Sequence, residues 1–266
     1  MQNKKIPGSL VLVGSGIKFL SHLTTEAKLY IERADKVLYL LNEPAMQQWV
    51  QKTNSTAESL DPLYIKYPLR SDCYKAITDY ILETLYKQQN VCVVLYGHPT
   101  VFAEPGLNAV IQARKVGYDA RALPGISAED CLFADLLINP GSCGCQSFEA
   151  TDFLVYGRKW DPNSHLLLWQ VGIIGILEHT IDQKNSKALH ALVQHLNKYY
   201  LSNHEVILYE AAQYTGFEAK IYKFPLEQLP STIISRTATL YVPPAKRSQI
   251  KKGMLKTLGI EIPLNK

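Results

Sequence analysis

Short apolar runs alternate with amphipathic stretches along the first half of the chain. Apolar runs at Ser9–Val13, Lys36–Leu41 and Val91–Tyr96 are compact and predict buried strands. Between these runs the apolar residues recur at helical spacing, most clearly over Asp72–Gln88. Thr24 stands before the first such stretch and is expected to cap its N-terminus. The alternation of strand and helix predicts an α/β fold with a mainly parallel sheet.

A second α/β half is predicted beyond the Pro124-Gly125 pair, which breaks both helices and strands. Its predicted strands and helices are His165–Val171, Glu205–Glu210, Thr237–Val242, Ser127–Leu137 and Lys187–Tyr200. We therefore expect an N-terminal α/β domain over residues 1–123, a C-terminal α/β domain over 124–245 and a basic tail over 246–266. Each domain is expected to hold a mostly parallel or mixed sheet flanked by helices.

Composition and charge exclude several classes of protein. The chain has 266 residues, of which 47% are hydrophobic and 20% charged, as in ordinary globular proteins. A net charge of +4 is too small to indicate binding to nucleic acid or to a membrane. The sequence lacks an apolar stretch of the ~20 residues that a membrane span needs. The five cysteines, an odd number without a preceding secretory signal, fit a reducing cytoplasm. Cys143 and Cys145 have no further ligands at zinc-site spacing, so we expect no metal site.

Two glycine-bearing turns follow predicted strands at positions where ligands bind in parallel sheets. Gly14-Ser15-Gly16 follows the first strand, but Phe19 stands where a dinucleotide-binding turn has its third glycine. The other turn, Tyr96-Gly97-His98-Pro99, is expected to place Tyr96 and His98 at the mouth of the sheet as ligand contacts. Simple tight turns remain the alternative for both segments.

A cluster of tyrosines around one arginine, Tyr64, Tyr67, Arg70 and Tyr74, is the most suggestive chemistry in the chain. Arg70 and Tyr74 are four residues apart, so they share a face of a helix. A guanidinium lowers the pKa of a neighbouring phenol, which is about 10 when unperturbed. The pair therefore suits a base with an oxyanion-stabilising partner, although the residue types alone favour an Arg–Tyr stack on the surface.

Five segments together resemble the tetrapyrrole methylase superfamily and, within it, the borosin peptide α-N-methyltransferases. They are GSLVLVGSGI (8–17), VLYGHPTVF (94–102), LPGISAEDCLFADLLI (123–138), SHLLLWQVG (164–172) and TATLYVPP (237–244). They occur in order over nearly the whole chain. Ile17-Lys18 replaces the Pro-Gly of the superfamily's GxGPG loop, a departure shared with borosin enzymes that argues against a porphyrin substrate.

The resemblance implies a cytoplasmic homodimer that binds S-adenosylmethionine (SAM) between its two domains and releases S-adenosylhomocysteine. The SAM contacts that it implies are Tyr96, His98, Val101, Phe102, Ser127, Ala128, Gln170 and Thr239. It implies that Arg70 and Tyr74 are catalytic, with Tyr64 as a third member and Tyr67 as its substitute. Our hypothesis is that Tyr74, its pKa lowered by Arg70, removes the amide proton while Arg70 or a neighbouring tyrosine stabilises the imidate oxygen.

The substrate implied by the resemblance is a ribosomally made precursor peptide whose backbone amides are methylated iteratively. Because the chain ends at Lys266, soon after Pro243-Pro244, we expect the split, bacterial type, in which a separate precursor is methylated in trans within a 2:2 assembly. Two other hypotheses stay open. One is a tetrapyrrole C-methyltransferase that turns over a porphyrinogen, and the other is a non-catalytic module that binds a peptide without changing its mass.

Overall fold

The computed structural model describes residues 6–87, 89–178, 185–246 and 250–261. Its helices are α1 Thr25–Arg33, α2 Pro44–Thr53, α3 Asp61–Lys66, α4 Arg70–Tyr86, α5 Glu104–Lys115, α6 Ala128–Asp135, α7 Ala150–Val155, α8 Ser186–Leu196 and α9 Lys252–Leu258. Its strands are β1 Ser9–Gly14, β2 Lys36–Leu40, β3 Glu58–Ser59, β4 Asn90–Leu95, β5 Asp119–Ala122, β6 Cys145–Glu149, β7 His165–Trp169, β8 Glu205–Glu210, β9 Lys220–Pro225 and β10 Thr239–Val242.

The N-terminal sheet is parallel throughout, which confirms the prediction from the alternating pattern. Its strand order is β3-β2-β4-β1-β5, and each neighbouring pair runs parallel. Alternate residues of β1 enter two apolar layers: Leu10 and Leu12 pack with α4 and α5, whereas Val11 and Val13 pack with α1 and α2. Burial of both faces explains why the central strands are continuous apolar runs.

The C-terminal sheet is mixed, with strand order β6-β7-β10-β8-β9. Only β6 and β7 run parallel, and the other neighbouring pairs are antiparallel. Leu166 and Leu168 of β7 face α7 and α8, while Leu167 and Trp169 face α6 and Ile17 of the first half. The second apolar layer therefore joins the two halves of the molecule and brings the end of β7 next to the turn after β1.

Two helix starts follow the capping chemistry of the sequence. Thr24 is the N-cap of α1, and its hydroxyl accepts a hydrogen bond from the Ala27 N–H at 3.1 Å, as predicted. Ser127 and Asp130 form a reciprocal capping box at the start of α6. These contacts fix where each chain segment turns from a loop into a helix.

Several element ends differ from the prediction. Helix α4 begins at Arg70, two residues before the predicted start at Asp72. The backbone N–H of Arg70 donates to the carbonyl of Leu177, and this tertiary contact fixes the start of the helix. Strand β10 begins at Thr239 instead of Thr237. The sequence did not predict strand β9, because its first four residues, 220–223, are exposed and two of them are lysines, as suits the edge of a sheet. The predicted end of α4, Gln88, lies outside the described residues.

The two sheets lie within residues 9–122 and 145–242, while the domain boundaries at 123/124 and 245/246 stay predictions. In the predicted basic tail, the structure describes residue 246 and the segment 250–261, which holds α9; residues 247–249 and 262–266 lie outside the described residues. Across the described ranges, no helix is both long enough and apolar enough to cross a membrane.

Candidate functional site

A cavity of about 520 Å³ lies between the two sheets, at the carboxyl ends of β4 and β8. All but one of the predicted SAM contacts line it: Tyr96, His98, Val101, Phe102, Ser127, Ala128 and Gln170. Thr239 is the exception. It is buried within β10, whereas Thr237, two residues earlier, lines the cavity.

The two glycine-bearing turns touch each other below the cavity. Gly16 and Gly97 exchange backbone hydrogen bonds of 3.2 and 3.1 Å, and both have φ in the left-handed region, +68° and +72°. A Cβ built on Gly14 would lie 2.1 Å from the carbonyl oxygen of Gly97. The turns are therefore in close backbone contact, and glycine is needed at Gly14 for space alone.

Tyr96 and His98 are both oriented by hydrogen bonds at the cavity wall. Asn42 and Gln213 hydrogen-bond the Tyr96 side chain, and burial raises the pKa of Tyr96 above its ordinary value. The Thr100 N–H donates to Nδ1 of His98 at 3.2 Å. Because Nδ1 accepts that bond, the proton of a neutral His98 ring lies on Nε2. Nε2 is then a donor, so His98 suits ligand binding better than proton removal.

One wall of the cavity is aromatic. The rings of Phe102 and Trp169 lie 5.3 Å apart and are tilted by 48°. Phe102 has a φ of +52°, an uncommon conformation for a bulky residue, and its side chain is 46% exposed. Trp169 donates from Nε1 to the hydroxyl of Ser147, so its ring orientation is fixed from β6. Two flat apolar rings at a cavity mouth suit a purine or another flat group.

The cavity also has polar residues that the sequence analysis missed. Asn42, Glu210, Gln213 and Thr237 line it, and they come from the ends of β2 and β8 and from the segment before β10. Glu210 accepts a hydrogen bond from Lys220 Nζ at 3.3 Å. A charged residue directly after the apolar run of β8 was a usable signal for Glu210, because polar residues at carboxyl ends of strands often serve ligands. The other three carried no local signal.

Arg70 joins the predicted catalytic cluster to this cavity. It is the first residue of α4, and its Nη1 donates to Oε1 of Gln170 at 3.4 Å. Its Nη2 donates to the carbonyl of Ile176 at 3.0 Å, and its backbone N–H donates to the carbonyl of Leu177 at 3.2 Å. Leu69 forms an isolated antiparallel bridge with Glu178 next to these bonds. The guanidinium is thus held between the domains.

Tyr64 and Tyr74 lie on α3 and α4 beside Arg70, and the pKa of each phenol is raised. For Tyr74, burial raises the pKa, and this outweighs Arg70, which lowers it; Glu104 raises it further. For Tyr64, burial again raises the pKa, with Tyr74 as the next cause and Arg70 as a smaller opposing one. Arg70 alone was expected to lower the pKa of these phenols, but the pKa of both is raised. Burial disfavours a phenolate more than one adjacent cation favours it.

Tyr67, the predicted substitute for Tyr64, caps the end of α3. The ammonium of Lys66 lies 5.2 Å from the centre of its ring. The charges of Tyr74 and Arg70 act on the pKa of Tyr64. Tyr64, Arg70 and Tyr74 therefore form one cluster.

Cys143 and Cys145 are half-buried, free thiols beside β6. Burial raises the pKa of Cys145 to about 11, so it is a thiol at neutral pH. Within the described part of the chain, no group of three or more His, Cys, Asp or Glu side chains is placed to hold a metal ion.

Comparison with known proteins identifies the family of the chain. Residues 9–230 match the family described as tetrapyrrole (corrin/porphyrin) methylases. The chain is 37% identical over 256 residues to the methyltransferase/ribosomally synthesized cyclic peptide dendrothelin A precursor of Dendrothele bispora, covering 95% of this chain and 61% of that protein. It is 38% identical to the methyltransferase/ribosomally synthesized type I borosin cyclic peptide precursor of Coprinopsis marcescibilis, covering 95% of this chain and 67% of that protein. The chain thus spans about three fifths to two thirds of the length of these relatives.

Solved structures share the fold at lower identity. Uroporphyrin-III-C-methyltransferase from Thermus thermophilus has a TM-score of 0.63 and 19% identity, over 94% of this chain and 96% of that chain. Diphthine synthase has a TM-score of 0.64 and 16% identity, over 91% of this chain and 92% of that chain. These matches confirm the predicted α/β fold and carry no information on the substrate.

Proposed function

Because the chain belongs to the tetrapyrrole methylase family, we propose that it is a methyltransferase that uses SAM to methylate backbone amide nitrogens of a ribosomally made peptide. The relatives named as methyltransferases and cyclic peptide precursors support the peptide substrate. Iterative methylation at successive amides, as in borosin biosynthesis, is part of this proposal.

The contact between Arg70 and Gln170 is the observation that carries the proposal. Gln170 lines the large cavity, and Arg70 lies beside Tyr64 and Tyr74. A cofactor in the cavity and an amide beside the phenols would therefore share one site. Proximity of this kind lowers the barrier of a two-reactant step by fixing position and orientation in advance.

The residues of the cavity fit SAM. Its volume of about 520 Å³ is within the usual range for small-molecule sites, roughly 300–1,000 Å³. Phe102 and Trp169 offer flat apolar surface for an adenine ring, and Glu210 offers a carboxylate for ribose hydroxyls. Gln170 and the Nε2 of His98 offer polar contacts for the amino-acid end. When bound, SAM would supply a methyl group on a sulfonium, and transfer to nitrogen would leave the neutral thioether.

A peptide nitrogen needs help to accept that methyl group, because its lone pair is delocalised into the carbonyl. Removing the N–H proton places negative charge on the oxygen. We assign proton removal to the Oη of Tyr74, and stabilisation of the imidate oxygen to Arg70 and the neutral hydroxyl of Tyr64. Tyr74 is the better base of the two tyrosines. Arg70 lowers the pKa of both, but it is the second-largest influence on the pKa of Tyr74 and only a minor one on that of Tyr64.

The sequence predicted that Arg70 lowers the pKa of Tyr74, but this pKa is raised. Tyr74 is mainly protonated at pH 7, so only a small phenolate fraction acts as base. The rate of methylation is then expected to be slow at neutral pH and to increase as the pH increases.

A separate precursor chain, a homodimer and a 2:2 complex with the precursor remain part of the proposal. The names of the relatives join methyltransferase and precursor in one protein. Methylation of an added peptide would distinguish the arrangement in trans, and mass measurement of the assembled complex would give its stoichiometry.

The deciding experiment is co-expression of the protein with the open reading frames beside its gene, followed by intact mass measurement and fragmentation of the products. Methyl-sized increments on backbone nitrogens are the expected result, and Tyr74→Phe is the matched inactive control. Increments on side chains would refute the amide chemistry. Turnover of a porphyrinogen without any change in peptide mass would favour the tetrapyrrole alternative. A tight complex with no mass change would favour the binding module.

A further inference from the structure

Residues 170–178 form a strap that runs from the end of β7 across to the start of α4. The strap begins at Gln170, which has a left-handed φ of +57°, and continues through one 3-10 turn, Val171–Ile173. It carries three acceptors of Arg70: the side chain of Gln170 and the carbonyl of Ile176 accept from the guanidinium, and the carbonyl of Leu177 accepts from the backbone N–H. The position of the Arg70 guanidinium therefore depends on how firmly the strap is fixed to the C-terminal half.

The first part of the strap is fixed by burial. Val171 and Ile174 are fully buried in the apolar layer between the C-terminal sheet and its helices. A Cβ built on Gly172 would lie 2.1 Å from the carbonyl oxygen of Ser235, so the backbones are in close contact there. These contacts place Gln170. Beyond Ile174, Gly175 lies close to Asn185 and Ala188 at the start of α8, and the Ile176 N–H donates to the carbonyl of Ile173 at 3.1 Å.

The second part of the strap is also bound by a side chain of helix α7. The N–H of Gly175 donates to Oγ1 of Thr151 at 3.0 Å. The Thr151 hydroxyl in turn donates to Oε1 of Glu149 at 3.0 Å. Glu149 is itself fixed, because its Oε2 accepts the N–H of Asp152 at 2.7 Å as the N-cap of α7. Both hydrogen-bonding roles of the Thr151 hydroxyl are used, so its rotamer is defined.

We propose that Thr151 is a positioning residue for Arg70: through Gly175 and the strap, its hydroxyl fixes the carbonyl of Ile176, which accepts from the guanidinium, and the carbonyl of Leu177, which accepts from the Arg70 backbone N–H. The inference rests on the proposed role of Arg70. Thr151 is not a catalytic residue, because it acts through the strap. Its hydroxyl is one of the contacts that fix the second part of the strap, and in this way it connects the start of α7 to the start of α4.

Glu149, the partner of Thr151, also acts on one of the proposed reacting groups. Its charge raises the pKa of Tyr74, as do the charges of Glu104 and Cys73. Moving the guanidinium of Arg70 away would leave these groups unopposed and would raise the pKa of Tyr74 further. Loss of the Thr151 hydroxyl is therefore expected to change the pH dependence of methylation as well as its rate.

The test compares Thr151→Val, which keeps the shape of the side chain but removes both hydrogen bonds, with Thr151→Ser, which keeps the hydroxyl. Thr257→Val on the exposed face of α9 is the matched control far from the site. Hydrogen–deuterium exchange of the full-length protein is measured over residues 171–178. The valine variant is expected to exchange there about tenfold faster, with β7 unchanged and the serine variant like the wild type.

Steady-state methylation of the co-expressed precursor gives the second readout. Thr151→Val is expected to lower kcat by about tenfold or more while the Kd for SAM changes less than about threefold, because misplacing a reacting group affects the chemical step most. The alkaline rise of the rate is expected to move to higher pH, and Thr151→Ser to restore both. Thr151→Ala serves if the valine variant does not fold.

Unchanged exchange of the strap in a folded Thr151→Val or Thr151→Ala protein would overturn the inference, as would a kcat and pH profile equal to the wild type. Equal impairment of the serine variant would also overturn it, since the hydroxyl would then not be the cause. If the wild-type protein methylates no peptide, the proposed function fails, but the exchange measurement still tests whether Thr151 anchors the strap.

Discussion

Arg70 Nη1 lies 3.4 Å from Gln170 Oε1, and this contact joins two residues that are 100 positions apart in sequence. It places an arginine from the first helix turn of α4 beside a residue that lines the cavity between the sheets. The proposed base and the proposed cofactor site are next to each other because of it. The following predictions test the parts of this site separately.

Replacing Arg70 with alanine is expected to lower methylation by at least about a hundredfold while SAM still binds. The guanidinium is the cation that opposes burial of Tyr74, and it is placed to stabilise an imidate oxygen. Single-turnover methyl transfer and calorimetric titration with SAM measure the two effects. Arg70→Lys is the control for charge, and wild-type activity in both variants would contradict the assignment.

Replacing Tyr74 with phenylalanine is expected to abolish methylation with the fold and the SAM affinity kept, because only the hydroxyl is removed. Tyr64→Phe is expected to lower the rate by about ten- to a hundredfold without abolishing it, since it donates to the oxyanion and does not take the proton. Comparison of kcat for the two variants is the measurement. The reverse order of effects would make Tyr64 the base.

The rate of methylation is expected to rise with pH through the neutral range. Burial raises the pKa of Tyr74, so the base form is scarce at pH 7 and its fraction grows about tenfold per pH unit up to at least pH ~10. Glu104→Gln removes a negative charge that raises this pKa, so the pH–rate profile of the variant should be shifted to lower pH. The shift is expected to be less than about one pH unit, because Glu104 is exposed to solvent. A flat wild-type profile between pH 6 and 9 would exclude Tyr74 as base.

Thr237 and Thr239 offer a matched pair in the last strand and the segment before it. Thr237 lines the cavity, whereas Thr239 is buried in β10. Thr237→Val is therefore expected to raise the Kd for SAM several-fold with little change in stability. Thr239→Val should leave the Kd within about twofold of the wild type. Calorimetric titration of both variants decides, and a larger loss of affinity in Thr239→Val would favour the contact implied by the family resemblance.

Replacing Gly14 with alanine is expected to destabilise the protein by about 2–4 kcal/mol, because the new Cβ would lie 2.1 Å from the Gly97 carbonyl oxygen. The cavity floor would be distorted at the same time. Gly253→Ala in α9 is the control: no atom lies within 4 Å of its Cβ, and alanine favours helix. Urea unfolding of both variants measures the difference, and equal stability of Gly14→Ala and the wild type would contradict the close contact.

Much of the fold could be predicted from the sequence because burial on both faces of a parallel sheet leaves a continuous apolar run. Strand β8 has the predicted limits, Glu205–Glu210; β1 and β2 differ by one residue at one end, and β4 is shifted by one residue at both ends. Edge strand β9 and the short α3 and α7 were missed, since exposed edges and helices of six residues have little periodicity. The cavity residues at the glycine-bearing turn after β4 could be predicted because this turn follows a strand directly, but Asn42 and Gln213 could not.

The sequence by itself determined the alternation of elements, the turns that line the cavity and the four-residue spacing that brings Arg70 and Tyr74 onto one helix face. Only the tertiary structure decided the ionisation of Tyr74 and the partners of Arg70. The pKa of a phenol depends on how much water its surroundings exclude, and those surroundings come from distant parts of the chain. The acceptors of Arg70 are likewise more than 90 residues away, on the strap that Thr151 holds in place.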